Sequence, residues 1–137
     1  MVYLTRIEHF NAAHQLYNPD WSKEKNTSVF GKCANENWHG HNFELFVNIK
    51  GEPDPETGFI FDAKKLGLII QENIIEKLDH RNLNLDVDFM KGKLSSIENL
   101  VVGIWNELEP YLPAKVHLHC LKLVETNKIY VEYYGGK

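Results

Sequence analysis

From His39 the chain reads HGHNFELFVNI, and His39, His41, Phe43, Leu45, Val47 and Ile49 all fall on one parity. A period of two places them on the same face of a β-strand, so both imidazoles point the same way as the apolar side chains. A face of that kind has to be covered, and the remaining segments must supply what covers it.

Residues 2–10 have strand character, although Arg6 and Glu8 share a parity with Val2, Leu4 and Phe10 and make the alternation imperfect. Residues 17–37 are polar, show neither period and read as one long connection, which in a compact domain tends to be functional. KGEPDPETG, 50–58, has turn composition and FIFD reads as a short returning strand, so 42–61 is expected to form a hairpin. Asp62 can cap a helix that places Leu66, Ile69, Ile70, Ile74 and Leu78 at helical spacing, with Gly67 as a mild internal cost. After the loop DHRNLNLDVDFMKGK, Ser95-Ser-Ile-Glu98 has the capping-box spacing and opens an amphipathic helix that Pro110 and Pro113 end. KVHLHCLKLVE and KIYVEYY, joined by TNK, read as a second hairpin. The order β, β-β, α, α, β-β predicts an α+β fold, with an antiparallel sheet and both helices on one face. The open edges of such a sheet are often closed by pairing between subunits.

At 137 residues the chain is expected to be a single domain, 1–137. It has no apolar run near the roughly 18 residues of a membrane span, and its first residues have no apolar leader core. A formal charge of -4 with scattered Lys and Arg argues against nucleic acid as a partner. Cys33 and Cys120, far apart, read as free thiols in a reducing compartment, so a cytoplasmic location is expected.

Side by side on a strand, His39 and His41 can share one metal ion, but His117-Leu-His119 offers a rival pair in the same chain. His14, following two alanines that allow close backbone approach, is the candidate third ligand. Three neutral imidazoles and one open position describe a catalytic zinc site, in which a bound water or alcohol is acidified and a carbonyl polarised. Cys33 is then either a fourth ligand or a free thiolate acting as base. Asp79 next to His80 is a candidate proton-transfer pair, and Glu125, beside the turn TNK, can accept hydrogen bonds from a guanidine-like edge. The bland alternatives are a half-buried loop histidine for His14, a common dipeptide for Asp79-His80 and a solvated turn acid for Glu125.

FNAAH, GKCANENWHGHNF, GEPDPETGFIFDAKKL, LDHRNLNLD, SSIENL and KLVETN, in this order, resemble the 6-pyruvoyltetrahydropterin synthase and 6-carboxytetrahydropterin synthase family over nearly the whole chain. The resemblance implies a T-fold of four to five strands, with subunits pairing sheets around a trimer and two trimers stacking into a homo-hexamer. It implies His14, His39 and His41 as Zn2+ ligands, Cys33 as general base and Asp79 with His80 as proton relay. Glu125 would anchor the pterin, with Ser96 and Glu98 lining its pocket, and His117 and His119 become plain strand residues. The implied substrate is 7,8-dihydroneopterin triphosphate. The leading expectation is its conversion to 6-carboxytetrahydropterin, releasing triphosphate and acetaldehyde, on the route to queuosine and other deazapurines. The alternative is 6-pyruvoyltetrahydropterin synthase on the same substrate, with a side activity giving 6-hydroxymethyl-dihydropterin. A non-catalytic pterin-binding metal module is the second alternative, and a zinc hydratase or hydrolase ranks last. Five residues separate Cys33 from His39, the longer spacing of the pyruvoyl branch, whereas Glu36 matches members that carry both a Cys and a Glu, making it a candidate second base. Trp38 stands where a small residue is more usual, and Ile97 where Thr is expected.

Overall fold

The alternating stretch becomes β2 (His39–Gly51), the middle strand of a five-stranded sheet ordered β3-β1-β2-β4-β5. The structure, a computed structural model, describes residues 1–136. β1 (Val2–His14) pairs antiparallel with β2 along its whole length, and β4 (His117–Thr126) pairs antiparallel with β2 and with β5 (Ile129–Tyr133). The short β3 (Arg81–Asn82) runs parallel to the end of β1, so the sheet is not purely antiparallel as the element order predicts.

Two helical rods cover one face, as the periodicities predict. The first runs from α2 (Ala63–Ile70) through a π-helical turn (Gln71–Ile75) into α3 (Glu76–Leu78), and the second is α4 (Ile97–Leu108). Leu45, Val47 and Ile49 meet Leu66, Ile70, Ile74, Leu78, Leu100, Ile104 and Leu108 in one core, all at 0 % exposure. Burying each such side chain contributes about 1.5–3 kcal/mol, and this is what holds helices and sheet together. The opposite face, with Tyr3, Ile7 and Tyr130, is uncovered within the chain. Among the described residues no helix is long and apolar enough to cross a membrane.

Local readings differ from the structure where tertiary contacts overrule pattern. FIFD is not a strand: Phe59, Ile60 and Phe61 lie in an irregular segment, and β2 pairs with β1 and β4 instead of forming a 42–61 hairpin. The expected irregular connection 17–37 contains α1 (Lys23–Phe30), with Ser22 as N-cap, followed by a 3-10 turn (Gly31–Ala34). Its organiser is Asn26, fully buried, whose amide accepts from Asn18 N–H at 2.7 Å and donates to the carbonyls of Asn18 and Ser22 at 3.0 Å. Strand β1 extends past residue 10 to His14.

The cap of α4 is Ser96, whose hydroxyl accepts from Asn99 N–H at 3.2 Å, so the Ser95-to-Glu98 capping box does not form. Ser95 is buried and used elsewhere, while Glu98 is exposed in the first turn. Replacing Ser96 by Ala is therefore expected to cost about 1 kcal/mol, measured as a lower urea midpoint at constant m. Glu98→Ala should cost less, since it removes only a charge favourable to the helix dipole. Equal costs for the two would restore the capping-box reading.

Candidate active site

The pairing register of β1 and β2 sets His14 directly opposite His39, and Ala12 opposite His41. Opposed residues on one face of a sheet have their Cβ atoms about 5 Å apart, so the three imidazoles are forced together at the end of the sheet. Ring centroids lie 4.5 Å apart for His14 and His39, 5.2 Å for His14 and His41, and 4.9 Å for His39 and His41. One ring nitrogen from each lies within 4.8 Å of the others. Ala12, 1 % exposed, presents only a methyl group across from His41 and leaves that imidazole room.

His14 is 2 % exposed, and its Nδ1 lies 2.7 Å from the Ser95 carbonyl. A carbonyl only accepts, so Nδ1 carries the proton and Nε2 is the bare nitrogen. That Nε2 is buried and has no hydrogen-bond partner among the described residues. An orphaned buried acceptor costs about 1–3 kcal/mol, a penalty that a bound cation removes. Burial pulls the pKa of all three imidazoles below the usual histidine value, with repulsion from a neighbouring histidine adding to the effect. Hydrogen bonding to Ser95 opposes it for His14, and the Glu125 carboxylate opposes it for His14 and His39. Three neutral imidazoles are a donor set that suits a divalent transition metal. Among the described residues no Cys, Asp or Glu joins this cluster, so a metal held here would keep an open position.

Cys33 lies in the 3-10 turn after α1, and its carbonyl accepts from Leu16 N–H at 2.8 Å, while Gln15 Nε2 donates to the next carbonyl, Ala34, at 2.9 Å. These bonds tether the thiol-bearing segment to the chain just beyond His14. Cys33 is partly exposed, as a reactive thiol has to be. Glu36 faces a cleft of about 550 Å³ bounded by Gln15 and Trp38, the neighbours of His14 and His39. Its carboxylate is exposed and sits 3.4 Å from Lys23 Nζ. Trp38 has φ 60°, a backbone state that favours Gly or Asn.

Asp79 and His80 pair through Oδ2 and Nδ1 at 3.1 Å. The other carboxylate oxygen of Asp79 accepts from Asn11 N–H at 2.8 Å, and that bond above all lowers its pKa, with burial opposing it and the contact with His80 adding to it. His80 has φ 59° and its own N–H bonds the Asn11 carbonyl, so the backbone is locked while the imidazole projects into solvent, 82 % exposed. Among the described residues neither member of this pair joins the cluster of three histidines.

Glu125 sits in an irregularity of the β4–β5 pairing between Val124 and Thr126, with Oε2 3.9 Å from His41 Nε2. Its side chain is 16 % exposed, which removes the solvated-turn reading. His117 and His119 are outside the cluster. A register shift at Asn48/Ile49 breaks their expected parity with Leu121, buries Leu118 and leaves His119 between the rings of Tyr3 and Tyr134. Ser96 adjoins the Ser95 carbonyl that holds His14, while Glu98 is exposed in the first turn of α4. Sequence reading missed Ser95 as a partner of His14 and the asparagines 11 and 84. The only signal was the unusual density of Asn in RNLNLD.

The lowered imidazole pKa values give a signed expectation. Between them and the unfolded value of about 6.5 the unfolded chain binds more protons, so stability rises with pH. With a chelator present, the protein should lose stability as pH falls from about 7.5 to 5.5, and His14→Gln should flatten that loss. Identical pH profiles from urea titrations of the two proteins would show that the cluster is not held neutral.

The family model described as 6-pyruvoyl tetrahydropterin synthase matches residues 3–136. The chain is 42 % identical to the 6-pyruvoyl tetrahydrobiopterin synthase of Pongo abelii, covering 92 % of this chain and 86 % of that protein. It is 41 % identical to the enzyme of the same name from Dictyostelium discoideum, covering 98 % and 96 %. The solved structure of Caenorhabditis elegans 6-pyruvoyl tetrahydropterin synthase superposes with a TM-score of 0.91 at 35 % identity, over 98 % of this chain and 96 % of that one. The five-stranded sheet and its helices are thus the T-fold, and the chain belongs to the 6-pyruvoyl tetrahydropterin synthase family.

Proposed function

We propose that this chain is a zinc-dependent lyase that converts 7,8-dihydroneopterin triphosphate to 6-pyruvoyltetrahydropterin and triphosphate. The observation that carries the reading is the buried, unpartnered Nε2 of His14 within reach of His39 and His41, with the Glu125 carboxylate beside them. The order of the products is reversed from the sequence expectation, which put 6-carboxytetrahydropterin first. Relatives at 41–42 % identity carry the pyruvoyl name, and the spacing from Cys33 to His39 supports the same branch.

His14, His39 and His41 would hold Zn2+, which when bound acidifies substrate hydroxyls and polarises a carbonyl. Glu125 accepts two hydrogen bonds from the guanidine-like edge of the pterin and so fixes the ring relative to the histidines. Cys33, as thiolate, takes the carbon-bound proton of the side chain. Asp79 holds the His80 imidazole, which delivers and removes protons at the other face. Triphosphate leaves by elimination, and the side chain tautomerises to the diketone while the ring gains the hydrogens of the tetrahydro form. Ser96 contacts the pterin pocket and Glu98 lies at its margin. Glu36, paired with Lys23, is a weaker base than Cys33 in this reading.

A single chain does not bring all of these groups together, because His80 faces solvent away from the histidine cluster. We infer that another copy completes the site within a hexamer of two trimers. Among the described residues β1 is bonded on its outer side only from Asn11 onward, so the edge before Asn11 is free to add a strand.

Incubation of the zinc-loaded protein with 7,8-dihydroneopterin triphosphate, followed by mass spectrometry, is expected to give the diketone. Acetaldehyde release instead would establish the carboxy branch, and no turnover would refute the lyase. Cys33→Ala should retain the metal and lose about 10²- to 10⁴-fold in kcat, the usual contribution of a general base. His39→Ala should lose metal and turnover together. Should Cys33→Ala shed the metal, the thiol is a ligand and not the base.

A further inference from the structure

The segment after the Asp79-His80 pair does not simply return to the core. Leu83 N–H donates to the Ala13 carbonyl at 2.8 Å, continuing the short parallel pairing of β3 with Ala12 and Ala13. At the next pairing position the backbone is replaced by a side chain. The Asn84 amide accepts from Gln15 N–H at 3.0 Å and donates to the Gln15 carbonyl at 2.9 Å, as a neighbouring strand would. The same Asn84 Oδ1 accepts from the hydroxyl of Ser95 at 3.0 Å, and that hydroxyl also reaches the Gln15 carbonyl at 3.3 Å. Ser95 is 1 % exposed, and its carbonyl takes the Nδ1 proton of His14.

His14 is therefore gripped from both sides by one polar assembly. Its flanking peptides are bonded by Leu83 and Asn84, and its ring is aimed by a serine whose hydroxyl Asn84 holds. The loop that supplies Asn84 is itself closed, since Asn82 Oδ1 accepts from Asn84 N–H at 2.9 Å and Asn82 N–H donates to Asp86 at 3.0 Å. A carbonyl on the far nitrogen of a ligating imidazole fixes its tautomer and orientation.

We propose that Asn84, acting through Gln15 and Ser95, is the positioning residue that aims the bare Nε2 of His14 at the metal position, and so sets the metal affinity of the cluster. The inference rests on the metal reading above. Among the described residues the hydrogen bonds of Asn84 and Ser95 reach His14 and Gln15 but neither His39 nor His41, so the effect is confined to one of the three histidines.

The test compares Zn2+ affinity, by competition with a chromophoric chelator, and the visible spectrum of Co2+-substituted protein. Asn84→Ala should weaken Zn2+ binding by about 10- to 100-fold and shift the Co2+ bands. Ser95→Ala, which keeps the carbonyl but frees it to move, should weaken binding in the same direction. Asn84→Asp keeps the acceptor for Gln15 and Ser95 but replaces the donor to the Gln15 carbonyl by a charged oxygen, so it should fall between wild type and Asn84→Ala; it serves as the reading if the alanine variant does not fold. A lower melting point of the metal-free variants with Zn2+ affinity within about twofold of wild type and unchanged Co2+ bands would make Asn84 a structural residue and overturn the proposal. Failure of the metal reading looks different: wild type would then bind Zn2+ no more tightly than His39→Ala.

Discussion

The antiparallel pairing of β1 with β2, in the register that sets His14 against His39, is the constraint on which everything else in this molecule depends. Side chains alternate strictly along both strands, so a slip of one residue would turn the histidines away from each other and expose Phe43, Leu45, Val47 and Ile49 at the same stroke. The hydrophobic core thereby protects the register, and the register assembles the three histidines. The three histidines sit at the end of the sheet, His14 against the start of α4 and on the same face as the core, and burial there holds the pKa of His14 down.

The proposed metal ligands and the proposed proton-transfer groups are carried differently. The three histidines lie on strands that are paired along their lengths. Cys33, Glu36, Asp79 and His80 lie in connections, but connections anchored by specific backbone bonds: Cys33 through Leu16, Asp79 and His80 through Asn11. Left-handed backbone at Trp38 and His80, both non-glycine, marks the points where the chain turns sharply to present these groups. The polar residues that do this anchoring, Asn11, Asn26 and Asn84, satisfy backbone groups that no strand or helix reaches.

Much of the architecture was legible from periodicity. The parity of residues 39–49 named the buried face of β2, and helical spacing named the core residues of both rods, because each pattern reflects a local geometry that burial enforces. The errors fall where a local pattern meets a distant partner. FIFD has strand composition but finds no edge to join, since β4 already occupies the outer side of β2. HLHCL alternates in sequence, but the register shift opposite Asn48 and Ile49 buries Leu118 along with Leu121. The capping box fails because the Ser95 carbonyl is committed to His14 and its hydroxyl to Asn84 and Gln15, leaving Ser96 to start the helix.

By itself, then, the sequence determined which residues could ligate a metal, which face they occupy and which elements cover that face, since these follow from side-chain chemistry and from the periods of strand and helix. Only the tertiary structure decided that His14, rather than His117 or His119, stands with His39 and His41, because residues far apart in the chain meet through strand register and not through spacing. It decided likewise that the far nitrogen of His14 is held by Ser95, 81 residues away, and that Glu125 leans toward the cluster while His80 faces outward. Hydrogen bonds of that reach leave no period in a sequence, and they come into being only when the core has closed around them.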